Sequence, residues 1–329
     1  MPAPRSSSPE QILRRLEWTV LRRLDGLLQG DYRTLFRGFG MDLADLREYQ
    51  YHDDVRHIDW NVTARLQTPY VREYREDREL AAWFLLDLSG SVDFGSGATK
   101  KQAVAVDFVA LLARVLTRRG NRVGALLFDG KRIGAIVPPR SGRRHVLELL
   151  QRMQTGVGPG AGETDLAELL TAAANLVRRR SLVFAVSDFL SVAGWEQPLA
   201  RLAQRHEVIA IRLFDALEMA LPDLGLVLLQ DAETGEQIAV DTHDPAFRRR
   251  FAAAAHARET RLREAFAAAG VDALELAAGG DLVDAVLRFA DLRKRRGSGA
   301  SGAAARSRLA AHLESRAIPV SGRAAGAVR

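Results

Sequence analysis

Cysteine is absent from all 329 residues, which excludes disulfides, thiolate metal sites and cysteine nucleophiles and fits a reducing compartment. Long apolar runs are missing as well. No stretch approaches the length of a membrane span, and the N-terminus, where Met1-Pro2-Ala3-Pro4 is soon followed by Arg14-Arg15, carries no signal-peptide core; a cytoplasmic location is expected. No Walker-type Gly-Lys-Ser/Thr ending is present. A Gly-x-Ser-x-Gly nucleophile elbow is absent too, since Leu88-Ser89-Gly90-Ser91-Val92 fails on its first glycine. Net positive charge is missing outside one segment. The net charge is +6, but nine of the 47 Lys and Arg follow Leu292, with Glu314 as the only acid there, so that segment carries +8 and residues 1–292 carry −2. A nucleic-acid-binding domain carries its charge on a folded face, and here the charge belongs to a tail.

What is present organises around Trp83-Phe84-Leu85-Leu86-Asp87-Leu88-Ser89-Gly90-Ser91, an apolar run ending in one carboxylate and two hydroxyls at alternate positions. The run has no polar alternation, so it reads as a parallel strand buried on both faces. Such a strand delivers its last residues to the carboxyl edge of the sheet, where open α/β sheets bind ligands. Asp87, Ser89 and Ser91 offer oxygen, the donor a hard cation such as Mg²⁺ requires; a plain strand-to-helix loop with a capping side chain is the other reading of this stretch.

Before this strand, Glu10 to Gln29 has helical periodicity, with Ile12, Leu16, Val20, Leu24 and Leu27 on one side; a helix docked on the protein is expected rather than one lying on a membrane. Leu35 to Glu79 is dense in charge and aromatics. His52, Asp53, Asp54, His57 and Asp59 suggest a second metal site, but the interleaved Arg47, Arg56, Arg65, Arg72 and Arg75 favour a salt-bridged structural segment, and Pro69–Tyr74 reads as extended. After it, helices are expected at Lys100–Arg119, Arg144–Gln154, Asp165–Arg178, Trp195–Arg205, Ala246–Ala269 and Asp281–Leu292, with strands at Val123–Phe128, Ile133–Val137, Leu182–Ser187, Val208–Leu213 and Val271–Leu276. Asp129-Gly130 marks a hairpin, so one strand must run antiparallel at an edge, and Leu226–Leu229 with Gln237–Val240 about Thr234-Gly235 reads as a second hairpin. The expected fold is α/β: a mostly parallel, Rossmann-like sheet with one antiparallel edge strand and helices on both faces, preceded by a helical and extended segment. The expected organisation is 1–35, an amphipathic helix; 36–80, the charged and aromatic segment; 81–292, the α/β domain; and 293–329, a disordered basic tail.

Three loops converge at the carboxyl edge in this reading. They bring Asp87, Ser89 and Ser91 from the first strand, Thr164 with Asp165 beside it from the Gly-rich stretch Gly156–Thr164, and Asp188 from the end of the Leu182–Ser187 strand. The strand ending at Asp188 is expected beside the strand ending at Asp87, which puts two carboxylates across one small space. Five oxygen-bearing side chains suit an octahedral Mg²⁺ that retains water. An alternative is an Mg²⁺-dependent hydrolase or phosphatase with Asp87 as nucleophile. It would need a second acid two residues on, where Ser89 stands, and no Lys or His is expected near the loops, although His145 is not placed by sequence.

Asp87-Leu88-Ser89-Gly90-Ser91, Thr164 and Ser187-Asp188-Phe189 resemble the metal-ion-dependent adhesion site (MIDAS) of von Willebrand factor A domains. The segments Met41–Tyr49, Asp53–Asn61 and Tyr70–Glu73 resemble the prokaryotic family called domain of unknown function 58, whose members accompany MoxR-type AAA+ ATPases; the likeness runs from about Phe36 to Leu292. The resemblance implies a von Willebrand factor A-like sheet with Mg²⁺ (or Mn²⁺) at its top and no catalysis. It also implies coordination by the hydroxyls of Ser89, Ser91 and Thr164, with Asp87 and Asp188 acting mostly through water and a partner's Glu or Asp filling the open position. The implied function is a non-catalytic adaptor working with a MoxR-type ATPase or its client in chaperone-like complex assembly. The chain departs from the family pattern at His52, where a small turn residue is usual, at Val92, where Met is common, and in lacking the transmembrane helices of many relatives.

Overall fold

A computed structural model describes residues 8–16, 43–50, 53, 55, 58–74, 81–97, 99–118, 120–155 and 162–298. The later part of the expected Glu10–Gln29 helix, most of the Gly-rich stretch, His52, Asp54, His57 and the tail from residue 299 lie outside the described residues.

Each apolar run became a strand, in the order β3 (Ala81–Asp87), β4 (Arg122–Phe128), β5 (Ile133–Arg140), β6 (Leu182–Ser187), β7 (Glu207–Phe214) and β10 (Asp272–Ala277). These form one six-stranded sheet, ordered β10-β7-β6-β3-β4-β5. Every pairing is parallel except β4 with β5, the edge hairpin predicted by Asp129-Gly130. β3 is buried on both faces because its alternate side chains enter different cores. Phe84 and Leu86 join one, Trp83 and Leu85 the other. The first core is covered by α1 (Pro9–Leu16), α3 (Lys101–Arg118), α4 (Arg143–Thr155) and α8 (Leu282–Ser298). The second is covered by α5 (Leu166–Leu176), α6 (Glu196–Arg205) and α7 (Pro245–Ala269). Phe84, Phe108 and Phe184 meet in the first core, with the Phe84 and Phe184 rings stacked at 5.0 Å.

The described part of the N-terminal helix, α1, is docked on the sheet domain: Ile12, Leu13 and Leu16 are buried, and Arg15 pairs with Asp107 of α3 at 2.5 Å. In the charged segment the stretch expected to be extended is β2 (Tyr70–Tyr74), while two elements were not foreseen: β1 (Leu43–Glu48), which pairs antiparallel with β2, and α2 (Trp60–Leu66), which lies between them in sequence. Two of the acids placed there, Asp53 and Asp59, hold the backbone. Asp59 caps α2 through Asn61 and Val62 N–H groups, and Asp53 accepts from the Gln50 N–H. The second hairpin, β8 (Leu226–Gln230) with β9 (Gln237–Asp241), stands as a separate two-stranded sheet. At the C-terminal end, α8 continues past Leu292 to Ser298, so the first residues assigned to the tail are helical. Arg293 bonds Glu207 and Asp272 at the amino ends of β7 and β10.

The chain steps from β3 out to β4 and β5, then crosses back to β6 on the other side of β3. The strand order therefore reverses between β3 and β6. In open α/β sheets the carboxyl ends at such a switch point frame a crevice. Asp87 ends β3 and Asp188 follows β6, so both carboxylates stand at that crevice.

Candidate metal centre

The turn after β3 is held by its own aspartate. The Ser89 N–H donates to Asp87 Oδ1 at 3.0 Å, and Ser187 at the end of β6 donates its hydroxyl to Asp87 Oδ2 at 2.6 Å. The Ser89 and Ser91 hydroxyl oxygens lie 3.1 Å apart and both residues are buried. Gly130, at φ +104°, lets the β4–β5 turn pass between two of the loops. A Cβ there would sit 3.1 Å from Ser89 Cβ and 3.2 Å from Thr164 Oγ1, so Ser89 and Thr164 flank one backbone position. The Asp165 N–H donates to the Gly130 carbonyl, which seats the Thr164 loop on that turn.

On the other side, Phe189 adopts φ +58°, a conformation bulky side chains rarely take. Its ring is wedged against Trp195 and Phe266, which holds the turn in place. With the backbone so bent, the Leu190 N–H donates to Asp188 Oδ1 and the Phe189 N–H to Ser187 Oγ.

Burial, and after it the negative charge of Asp188, push Asp87 up to about 6, against the pull of the hydrogen bonds from Ser187 and Ser89. At Asp188 a cation is built in. Lys101, at the start of α3 and fully buried, places Nζ 2.7 Å from Asp188 Oδ2 and also pairs with Glu218. Burial works to lower the Lys101 pKa, but Asp188 and Glu218 more than offset it and hold the ammonium charged. This corrects the expectation that no lysine stands near the loops. Nothing in the spacing of Lys101 marks it, because the contact spans 87 residues and depends on where α3 begins.

All five predicted site residues are therefore gathered at the carboxyl edge, while two other candidates are not. Asp165 turns its carboxylate into the first turn of α5, accepting from the Ala167 N–H. His145 is buried on α4 with Nε2 2.7 Å from the Val123 carbonyl, near the amino end of β4 and away from the crevice. A residue not foreseen completes the rim. Glu233, at the tip of the β8–β9 hairpin, accepts from the Thr164 N–H at 3.0 Å and from the Thr164 hydroxyl at 2.5 Å. A cleft of about 750 Å³ opens beside these groups, lined among others by Ser91, Thr164, Asp188, Arg212 and Glu233.

Among the described residues no group of three or more His, Cys, Asp and Glu could hold a metal ion. The candidate set is of a different donor class, three hydroxyls and two carboxylates. Within it the two serine hydroxyl oxygens, 3.1 Å apart, have the spacing of neighbouring ligands of an octahedral Mg²⁺, which lie about 3 Å apart.

No helix among the described residues is long and apolar enough to cross a membrane. The chain is 40% identical over 284 residues to uncharacterized proteins of Mycobacterium bovis and Mycobacterium tuberculosis, covering 86% of this chain and 89% of each relative. Among solved structures it is similar to the conserved hypothetical protein BatB from Bacteroides thetaiotaomicron, at 13% identity and a TM-score of 0.40, covering 66% of this chain and 99% of that one. The model of the family described as Protein of unknown function DUF58 matches residues 45–261, two-thirds of the chain, and with the mycobacterial relatives it establishes that the chain belongs to that family.

Proposed function

We propose that this protein is a non-catalytic binding module that presents an Mg²⁺-dependent surface, of the von Willebrand factor A kind, to an acidic side chain of a partner. The observation that supports it is the buried pair of serine hydroxyls, 3.1 Å apart, set between Asp87 and Gly130 at the switch point of the sheet. Ser89, Ser91 and Thr164 would hold the ion by their hydroxyl oxygens. Asp87 and Asp188, whose oxygens already accept hydrogen bonds from neighbouring residues, would balance its charge. When bound, the ion supplies a fixed positive charge with a coordination position for a carboxylate. From the family resemblance, the partner is a MoxR-type AAA+ ATPase or its client, and the setting is cytoplasmic complex assembly.

Hydrolysis with Asp87 as nucleophile fits less well. Asp87 is 1% exposed, and both of its oxygens accept hydrogen bonds, so a substrate has no approach to them.

Titration calorimetry with Mg²⁺ and Mn²⁺ tests the site. Wild type is expected to bind weakly, and Ser89→Ala/Ser91→Ala to lose binding with its circular dichroism unchanged. Equal binding in both proteins would remove these loops from consideration. For the partner, affinity capture in Mg²⁺ followed by EDTA elution should release an AAA+ ATPase; an eluate without one counts against that part of the proposal.

A further inference from the structure

The tip of the β8–β9 hairpin is built to reach the candidate cation site. Asp231 accepts from the N–H groups of Glu233 and Thr234 at 2.7 and 2.9 Å, and the Gly235 N–H returns to the Asp231 carbonyl, which fixes the shape of the turn. That turn meets two of the three loops. Gly90, between the two serines, leaves room for it: a Cβ on Gly90 would lie 3.2 Å from the Ala232 carbonyl carbon and closer still to its oxygen. The Gly162 N–H donates to the Glu233 carbonyl at 3.3 Å. Glu233 itself is half-buried while Ala232 and Thr234 on either side are exposed. Its two carboxylate oxygens grip Thr164, one at the backbone N–H and one at the hydroxyl.

The rest of the hairpin is held only lightly against solvent. Leu226, Leu228 and Ile238 are more than 60% exposed, and the base is clasped by Thr242, whose hydroxyl donates to the Gly225 carbonyl. A flap clasped at its base and seated at its tip by the Glu233 carboxylate and one backbone hydrogen bond is suited to lift.

We propose that Glu233 is a further ligand of the cation site, supplied by this chain, and that it fills the coordination position an external carboxylate would take. The inference rests on the metal reading above. A Thr164 hydroxyl that donates its proton to Glu233 keeps its lone pairs free for a cation, and the two oxygens, 2.5 Å apart, need to part by only about 0.5 Å to serve as neighbouring ligands of one ion. A partner's acid then binds by displacing the hairpin tip.

The test uses full-length protein, Mn²⁺ as the ion and acetate as the carboxylate probe, read by calorimetry and by the water-proton relaxivity of bound Mn²⁺. For Glu233→Gln the expected result is several-fold weaker Mn²⁺ binding, a higher relaxivity from one added water, and relaxivity lowered again by acetate. Wild type should be insensitive to acetate, and Glu236→Gln, on the exposed side of the same turn, should match wild type. Unchanged affinity and relaxivity in Glu233→Gln would overturn the assignment, as would tighter Mn²⁺ binding, which would make Glu233 a blocking group and not a ligand. Absence of Mn²⁺ binding in wild type, or undiminished binding in Ser89→Ala/Ser91→Ala, would instead sink the metal site itself, and this inference with it.

Discussion

Lys101 changes what the loss of Asp188 does to the protein. Two bare carboxylates at the ends of β3 and β6 would repel, and removing one would leave the metal-free protein as stable as before or slightly more so. With the ammonium buried between Asp188 and Glu218, the same change strips a partner from a charge that has no access to water. Asp188→Asn is therefore expected to lower the stability of the metal-free protein by about 3 kcal/mol, the low end of what one lost partner costs a buried pair, because Glu218 remains. Urea unfolding in EDTA measures it. The double variant Lys101→Met/Asp188→Asn should recover part of the loss, and a neutral Asp188→Asn would show that the pair contributes nothing. Loss of stability at Asp188 thus no longer separates a metal ligand from a structural residue; only the metal titration does. Asp87, Ser89, Ser91, Thr164 and Asp188 were legible because each sits at a strand end or beside a Gly-rich turn. Lys101 was not, since a lysine opening an amphipathic helix has the same sequence signature whether it faces water or a carboxylate.

At the scale of elements, the sheet was legible because burial on both faces leaves an unbroken apolar run, as in Phe84-Leu85-Leu86 and Val183-Phe184-Ala185-Val186. Both hairpins were legible from their turn residues. What the hairpin turn could not reveal is where its tip lands, because Glu233 meets Thr164 across 69 residues and no periodicity encodes that contact. The pairing of β1 with β2 escaped for a related reason: strands joined by a helix and a loop, and not by a tight turn, carry no local signal of register. Asp165 shows the opposite hazard, a carboxylate next to a site residue that belongs to a helix. Asp165→Ala removes the cap of α5 and is expected to cost about 1 kcal/mol of stability. Mn²⁺ affinity by calorimetry should stay at the wild-type value; a marked loss of affinity would return Asp165 to the ligand set.

For the whole molecule, the division of charge places a boundary that the sequence set a few residues too early. The basic segment begins at Arg293, but Arg293 belongs to α8 and to the fold. Its guanidinium reaches Glu207 at 2.5 Å and Asp272 at 3.0 Å, pinning α8 to the amino ends of β7 and β10. Glu207 is held above the usual range by burial, with Arg293 pulling the other way and Asp272 adding to the rise. A chain ending at Leu292 removes the Arg293 guanidinium that both of these carboxylates contact. It should be less stable than full-length protein by up to about 3 kcal/mol, the low end of what a buried ion pair costs when one partner is lost. The sign of the pH dependence follows. A carboxyl whose native pKa lies above its unfolded value of 4.5 contributes stability below that value and loses it as pH rises through the native pKa. The deficit of the shortened chain should therefore be full at neutral pH and shrink as pH falls toward 4.5. A chain ending at Ser298 keeps both ion pairs and is expected to melt with full-length protein. Neither truncation should alter Mn²⁺ affinity, because Glu207 and Asp272 open their strands while the candidate site lies where the strands of the same sheet end. Equal melting of the two truncations at pH 7 would show that Arg293 does not tie the last helix to the sheet.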